Sequence, residues 1–329
     1  AAVAAADAQG IQCTACHNQV TLTKTSVVFP SGIEITNLGD EARCMECHQG
    51  RASTVSVDQR IADAGLTDDL DTVSEDMGFT NIHYYAAAAT QFGTLAKGGY
   101  EYTGLSYDAK FDHVPSHNTC IECHDMHTLQ VNLEQCQACH TDVETAEDLV
   151  NIRMAGSLVD YDGDGDMEEG VYYEIEGLRD LLFGAMQAYS METTGKMIAY
   201  NELAYPYFFI DTDADGTLSE AEAIGDNRFD AWTGRLAKAA YNFQVSKKDP
   251  GRYAHGGKYI IQLIYDSITD LNMAVNEPVD LAAANRIDHG HFAGSEEAFR
   301  HWDGEEDGGI VPGSCAKCHS ATGQPEFIT

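Results

Sequence analysis

Five segments of this chain repeat one arrangement of reactive side chains: two cysteines separated by two residues, with a histidine directly after. They are Cys13, Cys16 and His17; Cys44, Cys47 and His48; Cys120, Cys123 and His124; Cys136, Cys139 and His140; and Cys315, Cys318 and His319. Together they contain all ten cysteines of the chain. Two thiols at this spacing reach two vinyl positions on one edge of a porphyrin and bond to it as thioethers. The next residue turns its imidazole under the iron as proximal ligand. Tetrahedral zinc takes such cysteine pairs two at a time, so five pairs leave one unmatched. A disulfide framework accounts for an even cysteine count but gives the five histidines no role. Attachment of five haem c groups accounts for both.

Thirteen histidines are present, and eight remain once the proximal five are set aside: His83, His113, His117, His127, His255, His289, His291 and His301. If every iron takes two imidazoles, five distal ligands are needed. Such an iron has no position for substrate and exchanges only electrons, at a potential below that of a methionine–histidine pair. Distal ligands are expected at His83, His113, His127, His255 and His291. His83 opens an apolar stretch read as a helix over Ile82–Phe92. His113 and His127 flank the third motif too closely to wrap around its own haem, so each is expected to ligate a neighbouring one. His255 begins a helix, and His291 precedes the fifth motif, with His289 nearly equivalent by spacing. His117, His289 and His301 read as surface residues. The alternative is an enzyme, a multihaem oxidoreductase converting nitrite or a sulfur compound. That requires one haem with an open face and a proton donor beside it, and no motif here has lysine in place of its histidine.

A second chemistry is written in acidic loops. Asp211, Asp213 and Asp215 alternate, Gly216 and Thr217 follow, and Glu222 stands at the twelfth position. This is the EF-hand calcium pattern: carboxylates at positions 1, 3 and 5, a glycine for the turn, a carbonyl at 7 and a bidentate glutamate at 12. Leu218 at position 8 suits pairing with a second loop. Asp160, Asp162, Asp164, Gly165 and Asp166 repeat the pattern through position 7, but Val171 occupies position 12. Glu169 or Glu174 is left to close that loop. A paired EF-hand-like unit holding one or two Ca2+ is expected over residues 151–230, with a structural role.

These sites need elements to hold them. Residues 1–150 carry four of the five motifs and few periodic helices, and read as a tetrahaem module of short helices and ordered loops. A candidate helix lies over Asp58–Ala64, and Val27, Val28, Ile33 and Ile35 suggest a hairpin around Pro30–Gly32. From Tyr173 the apolar spacing becomes helical: Ile175, Leu178, Leu182 and Met186, then Trp232, Leu236, Ala240 and Phe243, then Tyr259, Ile260, Leu263, Ile264 and Ile268. Pro250 and Gly251 separate the last two helices. Residues 231–329 are expected to be a helical region ending in the fifth haem. The fold class is therefore mainly α with extensive ordered loops.

The net charge is −34, from 19 basic against 53 acidic residues. That repels nucleic acid and favours cationic partners, metal ions or a mineral surface. No apolar run reaches the length of a membrane span. The opening AAVAAADAQG reads as a mature chain after signal removal. Location is expected to be extracellular or at the cell surface, with the periplasm as alternative.

The segments NIHYYAAAATQFG, GGYEY, FDHV and CIECHDMHTLQV with CQACH resemble a pattern in large multihaem c-type cytochromes of metal-reducing bacteria. YAHGGKYIIQLIYDSI and the region of His291 are similar to the C-terminal part of the same group. The resemblance implies distal ligation by His83, His113 and His127, and electron transfer in respiration. Filament-forming members stack haems and pass electrons between subunits, which implies other cytochromes, copies of this chain and extracellular electron acceptors as partners. The EF-hand-like insertion departs from the simplest members.

Overall fold

The computed structural model describes residues 10–114, 116–153 and 159–288. The fifth motif (Cys315, Cys318 and His319), His289, His291 and His301 lie outside the described residues. Residues 10–153 and 160–287, where described, fall in one compact unit.

Each described attachment motif sits on a short helix: α1 (Cys13–Cys16), α2 (Ala42–His48), and two further turns after the third and fourth helices of the chain. Between α1 and α2 lies the expected hairpin, β1 (Val27–Val28) against β2 (Glu34–Ile35), with Val27 opposite Ile35. Its turn is closed by Gly32 N–H donating to the Phe29 carbonyl at 2.8 Å. α3 (Thr54–Asp63) follows, then α4 (Ala87–Phe92), α5 (Cys120–Cys123) and α6 (Leu133–Cys136). One helical turn closes three of the motifs in the same way. The amide of His17 donates to the Cys13 carbonyl at 2.8 Å, that of His124 to Cys120 at 2.9 Å, and that of His140 to Cys136 at 2.9 Å. An i,i+4 pair shares one face of a helix, so this turn brings the histidine round beneath its first cysteine.

The C-terminal half of the described chain is helical, as its spacing predicts. α7 (Val171–Thr194) is followed by β3 (Met197–Tyr200), β4 (Phe208–Asp211), α8 (Gly234–Lys248) and α9 (Arg252–Asn272). Thr233 caps α8, its hydroxyl accepting from the Leu236 amide at 3.1 Å. α9 packs against α7, α8 and α4. Ile175, Leu178, Leu182, Leu236, Ala240, Ile260, Leu263, Ile264 and Ile268 are all fully buried at these contacts. Each large apolar side chain so buried contributes roughly 1.5–3 kcal/mol.

The same helices hold the loop that leads to His113. The Tyr241 hydroxyl donates to the Gly98 carbonyl at 2.6 Å, and the Gly99 amide donates to the Tyr259 hydroxyl at 3.1 Å. The Asp108 amide donates to Gln262 at 2.8 Å. α9 is broken one residue after His255. Gly256 departs from helical geometry, and a Cβ there would lie 2.4 Å from the Thr90 carbonyl. Only glycine allows α9 to approach α4 this closely.

Two expectations are corrected. The helix over Ile82–Phe92 begins only at Ala87, so His83 does not lie in a helix. His83 and Tyr85 both have left-handed backbone (φ 78° and 54°), and the Asn81 side chain accepts the His83 amide at 2.7 Å, forming a turn there instead. Nor, among the described residues, do the acidic loops form a paired helix–loop–helix unit. Phe208, Phe209 and Ile210 are good strand formers and pair with β3, so the Asp211 loop is entered from a strand. It leaves through a turn at Gly225–Asn227. Among the described residues no strand bridge joins Met167 to Leu218.

Candidate haem-ligand site

The motif histidines meet imidazoles that are remote in sequence. The rings of His17 and His127 have centroids 6.4 Å apart with planes 12° from parallel. His140 faces His113 at 5.9 Å, and His124 faces His255 at 6.3 Å. Two bonds of about 2 Å from one ion to two imidazole nitrogens, with each ring centre about 1 Å further out, separate the centres by about 6 Å. The three pairs therefore fit a haem iron held between two rings.

Electrostatics point the same way. Desolvation lowers the pKa of His124, and the facing His255 lowers it further. His113 is lowered by partial desolvation, then by His140 and His117. Both directions favour the neutral imidazole, the form that ligates metal; in His255 desolvation acts the same way but the Asp249 carboxylate outweighs it and raises the pKa. Cys44 and Cys120, from the second and third motifs, lie close enough to shift one another, Cys44 down to about 7 and Cys120 up. The second and third attachment motifs are therefore neighbours. Glu41, buried beside them, accepts the Cys120 amide at 3.2 Å.

The second motif is arranged differently. His48 Nδ1 lies 2.6 Å from the Tyr85 carbonyl, which fixes the ring through the turn that carries His83. The Arg51 amide donates to the Ile82 carbonyl at 2.9 Å, so this turn is laid along the end of α2. Burial lowers the pKa of His83, and the nearby Arg51 and Lys248 lower it further. The His83 ring contacts Tyr84 edge-on at 5.2 Å. Among the described residues no ring stands opposite His48 at the spacing of the other three pairs.

The acidic loops bring their predicted residues together. Asp211, Asp213 and Glu222 converge within 4.8 Å, as do Asp160, Asp162 and Glu174, and Asp162, Asp164 and Glu169. In both loops the first aspartate accepts amides from its own turn: Asp160 from Gly165 at 2.7 Å, Asp211 from Gly216 at 2.8 Å. Asp215 accepts the Thr217 amide at 2.8 Å, and Asp166 accepts that of Glu168 at 2.9 Å. Glu174 is fully buried, pairs with Arg153 and accepts the Tyr161 amide at 2.7 Å. Glu169 has a shielded oxygen, Oε1, with no hydrogen-bond partner. Desolvation first, then the neighbouring carboxylates, raise both Asp162 and Glu169 to about 7. Glu169 rather than Glu174 is thus the side chain free to close this loop on a cation.

Three residues escaped sequence reasoning. Asp249 is 1% exposed, and its carboxylate lies 2.8 Å from His255 Nδ1; an acid six residues before a candidate histidine, across a Pro-Gly turn, was the available signal. Tyr85 acts through its carbonyl, which no side-chain pattern reveals. His117 read as a surface residue, but both its ring nitrogens are shielded and lack hydrogen-bond partners. Its ring lies 6.4 Å from that of His113.

The attachment motifs and facing imidazoles define the chemistry of a multihaem c-type cytochrome, with haem c as cofactor, and comparison with known proteins supports that class. The chain is 31% identical to the C-type polyheme cytochrome OmcC of Geobacter sulfurreducens over 252 residues, 68% of this chain and 29% of that protein. It is 28% identical to the C-type polyheme cytochrome OmcB of the same species over 273 residues, 74% of this chain and 34% of that protein. The chain spans about a third of the length of these curated relatives. No protein-family model matches it, and no solved structure does. No helix among the described residues is long and apolar enough to cross a membrane.

Proposed function

We propose that this chain conducts electrons through five haem c groups, each closed on both faces by imidazole. The observation that carries this reading is the opposition of His17 to His127, His140 to His113 and His124 to His255 at 5.9–6.4 Å. His83 is assigned to the second haem and His291 to the fifth. When bound, haem supplies a one-electron iron couple. The protein's share is to fix ligands, spacing and burial. His17, His48, His124 and His140 hold the proximal face. Their partners deny water and substrate the other.

The order of neighbours follows from contacts between motifs. Cys44 is near enough to Cys120 for each to shift the other, and Cys136 is near enough to Cys123 to raise its pKa, after desolvation. His127, which faces His17, lies in the turn after the third motif. The third haem therefore borders the first, second and fourth. On this reading electrons pass to other cytochromes, to copies of this chain in a filament, or to acceptors outside the cell, and the acidic loops bind Ca2+ to brace the structure.

The test is the intact, haem-loaded chain. Mass spectrometry should find five haem increments, and electron paramagnetic resonance should find only low-spin iron. Fewer than five haems overturns the count. A high-spin haem in the native protein favours the oxidoreductase reading, and the second haem is the place to look for it.

A further inference from the structure

We propose that Asp249 is a positioning residue that sets the reduction potential of the haem between His124 and His255. This rests on the ligand reading above. Asp249 ends α8, directly before the Pro250–Gly251 turn into α9, and is 1% exposed. Both carboxylate oxygens face one nitrogen: Oδ1 lies 3.0 Å and Oδ2 2.8 Å from His255 Nδ1. The Gly251 amide donates to Oδ1 at 3.1 Å, and Thr90, whose hydroxyl donates to the Ala86 carbonyl at 3.4 Å, lies beside the same carboxylate. The Arg252 guanidinium is committed to Glu176 and reaches only the Asp249 carbonyl, at 3.5 Å.

With Nδ1 as donor to Asp249, His255 must present the lone pair of Nε2 to the iron. A full negative charge behind the ring also raises its donor strength, which favours ferric over ferrous iron. Burial spares that charge from solvent and salt screening. The other fixed ligands are anchored more weakly. His48 Nδ1 meets a neutral carbonyl at 2.6 Å, and His124 Nδ1 meets one at 3.4 Å. Among the described residues, His255 is the ligand anchored by a carboxylate. The third haem is therefore held at lower potential than it would otherwise have. Because it borders three others, it serves as a relay that gives electrons up rather than a store that keeps them.

The experiment is a potentiometric titration of the haem-loaded chain, followed by visible spectra, for Asp249→Asn, Asp249→Glu, Asp249→Ser and His255→Met. Asp249→Asn should keep all haems low-spin and raise one potential, changing that haem's reduction equilibrium at least tenfold, or about 59 mV for one electron. Asp249→Glu should restore most of the shift, and Asp249→Ser, equally uncharged, should raise the same haem. If His255→Met raises one haem's potential while neither Asp249→Asn nor Asp249→Ser moves it, the role of Asp249 is overturned and the ligand reading stands. If His255→Met changes no haem, the ligand reading fails and takes this proposal with it. Should Asp249→Asn not fold, the Asp249→Ser result decides alone.

Discussion

Replacing His127 with alanine separates sequence proximity from spatial pairing. His127 stands three residues after the third motif, yet its ring faces His17 of the first at 6.4 Å. The side chain stands in the turn after the third motif, where Asp125 accepts the His127 amide at 3.0 Å, so its truncation acts chiefly through the loss of one iron ligand. The functional effect is large. One iron loses its sixth ligand, and one haem in five, on the proposed count, turns from low-spin to high-spin. Electron paramagnetic resonance and magnetic circular dichroism would measure that fraction. The identity of the haem comes from a double-mutant comparison. A chain carrying Cys13→Ala and Cys16→Ala lacks the first attachment site. Adding His127→Ala to that background should create no further high-spin iron, because the haem that His127 serves is already gone. If the full high-spin fraction appears in both backgrounds, His127 serves a different haem and the pairing is refuted. If it appears in neither, His127 is no ligand at all.

Three other outcomes are expected. His83→Ala should make the second haem high-spin, and added imidazole should reverse the change; an unchanged spectrum would remove His83 from the ligand set. Chelating calcium should lower the melting temperature by several degrees, since a ligand at a hundred times its Kd contributes about 2.7 kcal/mol; identical calorimetric scans with and without chelator would exclude bound Ca2+. Gly256→Ala places a methyl group 2.4 Å from the Thr90 carbonyl, so it should cost roughly 1–3 kcal/mol in denaturant unfolding and perturb the haem served by His255, whereas Gly184→Ala, whose Cβ would meet open space, should not.

What could be read from the sequence was local. The four described motifs follow from spacing within one helical turn, and α7, α8 and α9 follow from apolar residues at helical intervals. The hairpin followed from β-branched residues either side of a Pro-Ser-Gly turn. What could not be read was long-range. His17 meets His127, and His124 meets His255, across more than a hundred residues, so no window along the chain contains both partners. Counting histidines gave the candidates but not the pairs. The helix expected at His83 failed because a residue's local turn, set by Asn81, overrode the run of alanines that begins three residues later. The helix–loop–helix form was not met at the Asp211 loop, because a loop motif specifies its own turn and says nothing about its flanks, where Phe208 and Phe209 chose a strand.

The helical turn that closes three of the motifs bears on how such a molecule is made. It gathers two thiols and an imidazole within five residues, without help from the rest of the chain. The facing rings of His127 and His255 come from segments far along the sequence. Each tether is therefore a local construction, whereas the opposite face is closed only by the completed architecture.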